Sequence, residues 1–299
     1  MKRVCLVLAI ITVLTMSCQK RRADHGGKKT ISVSILPQKY FVEQIAGDQF
    51  QVNVMIPPGA NPVTYEPTPG KMEKVSQSVA YIKTGHLIFE HVWMDKFKSM
   101  NGTMEIIDQS EQVELIRSGD HQHGNHRHKG NIDPHIWVSP KAVKLQIETI
   151  KKALIKLEPE NEDMFAENYR NFKSKLNSLD ASIEERIAQS DVTSFMIFHP
   201  ALSYFARDYG LNQIAIESGG KEPSPSKLKE VVEEARKKEM RKVLVQKQFS
   251  TDKARTVAGE IGASVAVINP LDSNWIDAMD QITGQILSNH LSTKAEDHE

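Results

Sequence analysis

With eleven histidines and only two cysteines, any metal chemistry in this chain rests on imidazole and carboxylate. His135 sits in the stretch NIDPHIWVSP, two residues after Asp133 and two before Trp137. A carboxylate can orient the ring and an aromatic can wall it from water, the usual support of a metal-ligating histidine. The bland alternative is a hydrogen-bonded loop histidine. His199, in FHPALSYF, stands where an apolar run gives way to helical spacing. Two such histidines, with no cysteine to compete, suit a zinc or manganese site. His121, His123, His126 and His128 crowd into HQHGNHRH. A glycine-containing tract of this kind collects zinc loosely, because flexible ligands lose entropy on binding; otherwise it is a solvated insert.

The elements that must position these residues follow from periodicity. ISVSI, FQVNVMI, VAYIKTG and MEIID read as strands; YFVEQIAG, Lys71–Gln77 and HLIFEHVWMDKFKSM read as helices. PPGANPVTYEPTP, between the second strand and its helix, is too rich in proline and glycine to be regular. Pro140–Leu157 is amphipathic, with Ser139-Pro140 suited to start it. Glu160–Gln189 carries a stripe of Phe165, Tyr169, Phe172, Leu176, Leu179 and Ile183. A second strand–helix series runs from SFMIFH to a last helix beginning at Trp275. Alternating strands and helices imply parallel sheets flanked by helices. About 270 residues beyond the N-terminal segment exceed a typical single core, so two lobes are expected. The divisions expected are a 30–159 lobe with its histidine-rich loop at 120–129, a linking helix 160–190 and a 191–299 lobe. Ligands in such sheets bind beyond the carboxyl ends of the strands. That rule singles out PPGANPVTYEP, NIDPHIW, FHPALSYF and INPLDSNW.

Residues 1–18 read as a targeting segment: Lys2 and Arg3, an apolar VCLVLAIITVL too short to span a bilayer, then Ser17-Cys18. This resembles a bacterial lipoprotein signal with Cys18 as the lipidated residue. Residues 19–29 are polar and basic, as a tether should be. Since Cys5 lies inside the signal and Cys18 at its end, no disulfide or thiolate site is expected in the mature domain. Formal net charge is zero, which gives no footprint for nucleic acid.

PPGANPVTYEPTP, TGHLIFEHVW, NIDPHIWVSP, FHPALSYFARDYG and GKEPSPSKLKE together resemble the metal-binding lipoproteins of bacterial ABC importers for zinc and manganese, across essentially the whole mature chain. The resemblance implies two α/β lobes joined by one long helix, with the metal cleft between the lobes. By position it assigns His135 and His199 as ligands. Its first histidine position is occupied by Val63 and its late carboxylate position by Asn269. Asp272 and Glu66, in that order, are the expected replacements, with Glu217 and Glu222 also available. Taken singly, each of these carboxylates is more simply a surface or supporting group.

The expected function is extracytoplasmic capture of a divalent metal, Zn2+ before Mn2+, and its delivery to an ABC permease and its ATPase, without bond chemistry. The protein is expected to be an exported, lipid-anchored monomer. A zinc-dependent hydrolase is the enzyme alternative, although no H-E-x-x-H motif is present. A metal-binding surface adhesin or buffer without a permease is the other.

Overall fold

The computed structural model describes residues 27–118, 131–217 and 224–288. Cys18, most of the tether, the four loop histidines and Glu222 lie outside these residues. In the N-terminal lobe, β1 (Thr30–Val33), β2 (Gln51–Val54), β3 (Ala80–Lys83) and β4 (Glu105–Asp108) alternate with α1 (Leu36–Ala46), α2 (Pro69–Ser76) and α3 (Ile88–Met100). A two-residue hairpin, β5 (Arg117–Ser118) with β6 (Asn131–Ile132), flanks the histidine-rich segment. A 3₁₀ turn, Ile136–Val138, leads into α4 (Pro140–Leu157), and α5 (Glu162–Ala188) follows. The C-terminal lobe holds β7 (Ser194–Ile197), α6 (Ser203–Asp208), β8 (Asn212–Ala215), α7 (Pro225–Lys237), β9 (Lys242–Gln246), α8 (Thr251–Ile261), β10 (Ser264–Ile268) and α9 (Trp275–Leu287).

Both four-stranded sheets are parallel, in the orders β2-β1-β3-β4 and β10-β9-β7-β8. In each, the lobe's first strand lies between its second and third. One topology is therefore used twice, and each sheet opens a crevice at the carboxyl ends of its first and third strands, where strand order reverses.

Local chemistry accounts for the elements nearest the histidines. Ser139 caps α4 by accepting the Ala142 N–H at 3.4 Å, and Pro140 occupies the first turn, where its missing N–H has no partner to lose. The long helix begins at Glu162, not Glu160, because Pro159 opens a separate 3₁₀ turn, Pro159–Asn161. Its 27 residues span about 40 Å at roughly 1.5 Å each. It packs on α1 of the first lobe, on α4, and on α9 of the second lobe. Helix α1 starts four residues before the YFVEQIAG stretch. Gln38 Oε1 reaches back to the Ser34 and Ile35 N–H groups at 2.9 and 3.1 Å, doing the work of an N-cap that Ile35 cannot perform.

One hydrophobic core runs without a break from the first sheet through α4 and α5 to Tyr204, Phe205, Trp275 and Met279. A smaller core, including Met196, Val231, Val243 and Val257, lies wholly in the second lobe. Polar bonds stitch the seam. Trp137 Nε1–H donates to the Pro270 carbonyl at 2.9 Å, and Trp275 Nε1–H donates to the Trp137 carbonyl at 2.8 Å. The Tyr204 hydroxyl donates to the Asp133 carbonyl at 2.9 Å and accepts the Ile116 N–H at 3.1 Å. Buried bonds of this kind cost free energy to leave unmade, so they hold the lobes in register.

Candidate metal centre

His135 and His199 meet across this seam. His135 enters from the segment after β6; His199 stands two residues beyond β7, at the crevice of the second sheet. Their ring centres are 5.2 Å apart with planes at 74°. A metal about 2.0–2.1 Å from one nitrogen of each ring, at a tetrahedral angle, requires ring centres roughly 5 Å apart. The pair already has that spacing.

Each ring is held by a carboxylate on the same atom. His135 Nδ1 lies 2.7 Å from Asp133 Oδ1, which also accepts the His135 backbone N–H at 2.9 Å. His199 Nδ1 lies 2.7 Å from Glu217 Oε2. With Nδ1–H donated to a carboxylate, the lone pair on Nε2 is the open donor in both rings. Asp133 and Glu217 are both buried. Burial pushes the Asp133 carboxyl up, but His135, its backbone N–H and Ser203 outweigh that and hold it below the ordinary range. Aromatic rings enclose the pair. Trp137 lies 5.2 Å from His135, and Phe249 stacks on His199 at 4.8 Å with planes at 19°. Gln246 Nε2–H donates to the His199 carbonyl at 2.6 Å and fixes the backbone there. This is a part-buried, oriented pair of imidazole nitrogen donors suited to a borderline divalent metal.

The other residues singled out from sequence are placed differently. Glu217 supports His199 through Nδ1. Asp272 Oδ2 accepts from Asn269 Nδ2 at 2.8 Å, and its Oδ1 accepts the Asn274 N–H at 3.0 Å, so both oxygens are engaged within the loop between β10 and α9. Asn269 Oδ1 is in turn bonded by Gln248 Nε2 at 3.1 Å. Glu66 is exposed. Val63 is 48% exposed in a turn built on Asn61, whose Oδ1 accepts the Val63 N–H at 2.8 Å. Among the described residues no set of three or more His, Cys, Asp and Glu is arranged to hold a metal ion. The structure thus brings His135 and His199 together and adds neither Asp272 nor Glu66 as a third member. Phe249 and Gln246 were missed from sequence; both lie at or just beyond the end of β9, a strand-to-helix junction like the four that were noticed.

Residues 31–289 match the family model of the periplasmic zinc-uptake complex component A, ZnuA. The zinc-binding lipoprotein AdcA of Streptococcus pneumoniae is 31% identical over 91% of this chain, which spans 56% of that relative's length. The high-affinity zinc uptake system protein ZnuA of Bacillus subtilis is 27% identical, covering 94% of this chain and 92% of its own. A crystal structure of a ZnuA deletion mutant with zinc bound superposes with a TM-score of 0.83 at 35% identity, over 90% of this chain and 100% of that one. By sequence and by fold, the chain belongs to the periplasmic zinc-uptake complex component A family.

Proposed function

We propose that the protein captures a zinc ion outside the cytoplasm between His135 and His199 and passes it to an ABC permease driven by its ATPase. The observation that carries this reading is the 5.2 Å spacing of two imidazoles whose Nδ1 atoms are already committed to buried carboxylates. Nothing else is needed to prepare those donors, so little ordering cost opposes binding. Capture requires release, and a site with two protein nitrogens, completed by water or by a carboxylate such as Asp272 or Glu66, exchanges its metal faster than a closed four-ligand site. Asp272 is the stronger of the two, because its partner Asn269 is a neutral amide that a cation can displace. Zinc is favoured over manganese by imidazole donors.

Cys18 is the proposed lipid anchor, residues 19–29 the tether, and the protein a monomer. The boundaries 30–159, 160–190 and 191–299 are proposed for the lobes and the linking helix. His121, His123, His126 and His128 are proposed as a loose zinc reservoir separate from the tight site. Calorimetric zinc titration tests the site: one tight equivalent is expected in the parent and none after His135→Ala or His199→Ala. Parental affinity in either variant would remove that residue from the site. Transport is tested by adding zinc-loaded protein to the reconstituted permease and ATPase of the same organism. ATP hydrolysis that does not rise would leave a buffer or adhesin.

A further inference from the structure

We infer a second divalent-cation site on the N-terminal lobe, held by the imidazoles of His86 and His91. Neither residue is a ligand position implied by the family resemblance. His86 follows β3 and His91 lies in the first turn of α3. Their ring centres are 6.3 Å apart and tilted by 49°. A metal about 2.0–2.1 Å from one nitrogen of each ring admits ring centres up to roughly 6.5 Å apart at a wide angle, and His91 is exposed.

His86 is built into its turn. Gly85 has φ of 109°, and a Cβ there would collide with Ser110 and Asp108, so only glycine passes this point. Below the turn, buried Glu90 accepts the Thr84 and Gly85 N–H groups at 2.7 and 2.8 Å. The Ser110 hydroxyl donates to Asp108 Oδ1 at 2.6 Å, so towards His86 Nε2, 3.4 Å away, its oxygen can only accept. That places the His86 proton on Nε2 and leaves the Nδ1 lone pair as the donor. The logic matches that of the interlobe rings, with the two nitrogens exchanged. The loop also borders the crevice where strand order reverses in the first sheet, the place where open α/β sheets take ligands.

Imidazole without thiolate selects zinc, nickel or copper(II) over magnesium or calcium. Burial lowers the affinity of His86 for a proton; Asp108 opposes this, while His91, Lys83 and Arg117 reinforce it. The ring is therefore neutral and able to ligate at neutral pH. Lys83, 2.6 Å from Asp108 Oδ2, and Arg117 also repel a cation. The site consequently fills after the interlobe pair.

Zinc chloride added to the full-length protein, with diethyl pyrocarbonate modification read at each histidine by peptide mass spectrometry, tests the assignment. One equivalent should protect His135 and His199 and leave His86 and His91 reactive. Further equivalents should slow His86 and His91 together, at least fivefold and with one midpoint. In His91→Ala, a surface change that spares the fold, His86 should stay reactive at every zinc level; in His86→Ala, His91 should. Protection of His91 that is unchanged in His86→Ala, or of His86 that is unchanged in His91→Ala, would overturn the shared site. So would full reactivity of both residues at millimolar zinc.

Discussion

Among the described residues, two pairs of histidines sit close together, and their surroundings differ more than their spacing. Between the lobes, both rings are nearly enclosed, each is tied by Nδ1 to a buried carboxylate, and their centres lie 5.2 Å apart. On the first lobe, His86 leans on a serine, His91 is exposed, the centres lie 6.3 Å apart, and Lys83 and Arg117 stand close. The same side chain yields a prepared site in one place and a weak one in the other. What separates them is what fixes the ring before the metal arrives, and the charge around it.

The largest difference between the pairs should appear on deletion. His135→Ala or His199→Ala is expected to weaken zinc binding by on the order of 100-fold or more, with little further loss in the double variant, because the two act as a unit. The corresponding changes at His86 and His91 should leave the tight equivalent untouched. Additive losses at His135 and His199 in calorimetry would mean they do not share one ion.

Next in size is the position at which the resemblance expects a histidine and this chain has Val63. Val63→His adds a nitrogen ligand on a turn already held by Asn61 and by Tyr65 against Phe89, and zinc binding should tighten roughly tenfold to hundredfold. Unchanged binding with an intact fold by circular dichroism would show that the turn no longer aims into the seam.

The supporting carboxylates come third. Asp133→Asn and Glu217→Gln keep an acceptor for Nδ1–H but remove its charge, and each should cost about tenfold, the low end of such effects. For the zinc-free protein the sign follows from the direction at Asp133. A carboxyl held below its ordinary range stabilises the fold above about pH 4, and that contribution fades as pH falls through the lowered value. Zinc should therefore leave in mild acid, where protons compete for imidazole, before Asp133 itself titrates. Denaturant midpoints of the zinc-free protein that already fall across the pH range of zinc release would contradict this order.

The smallest effect on binding and the clearest on stability should come from Trp275→Phe. It leaves the Trp137 carbonyl unpaired in the buried seam and should cost about 1–3 kcal/mol in urea unfolding. Removing Asp120–Lys129 should delete only weak zinc equivalents.

Much of this was legible before any coordinates. Alternating strand and helix patterns identified two parallel sheets, and Pro140–Leu157 has the boundaries its periodicity implies. His135 and His199 were found because both stand where a strand gives way to a helix. Asp133 and Trp137 were found because they flank His135 in sequence. What stayed hidden depends on partners distant in the chain. Glu217 reads equally well as a ligand or a support until His199 is seen against it. Phe249 means nothing until it stacks on a ring fifty residues earlier. Asp272, a reasonable ligand by its proximity to Asn269, has both oxygens engaged within the loop between β10 and α9. The histidines of TGHLIFEHVW served only as marks of resemblance, because nothing in the sequence shows that Ser110 and Asp108 fix one of them.

Crystals of the protein soaked with one equivalent of zinc, measured on both sides of the zinc absorption edge, decide whether the seam between the lobes is the metal site. A single anomalous peak about 2.0–2.1 Å from the Nε2 atoms of both His135 and His199, with Asp133 and Glu217 still on the Nδ1 atoms, is the result expected here. A peak bound to only one of the two rings, or a first equivalent that settles at His86 and His91, would contradict it.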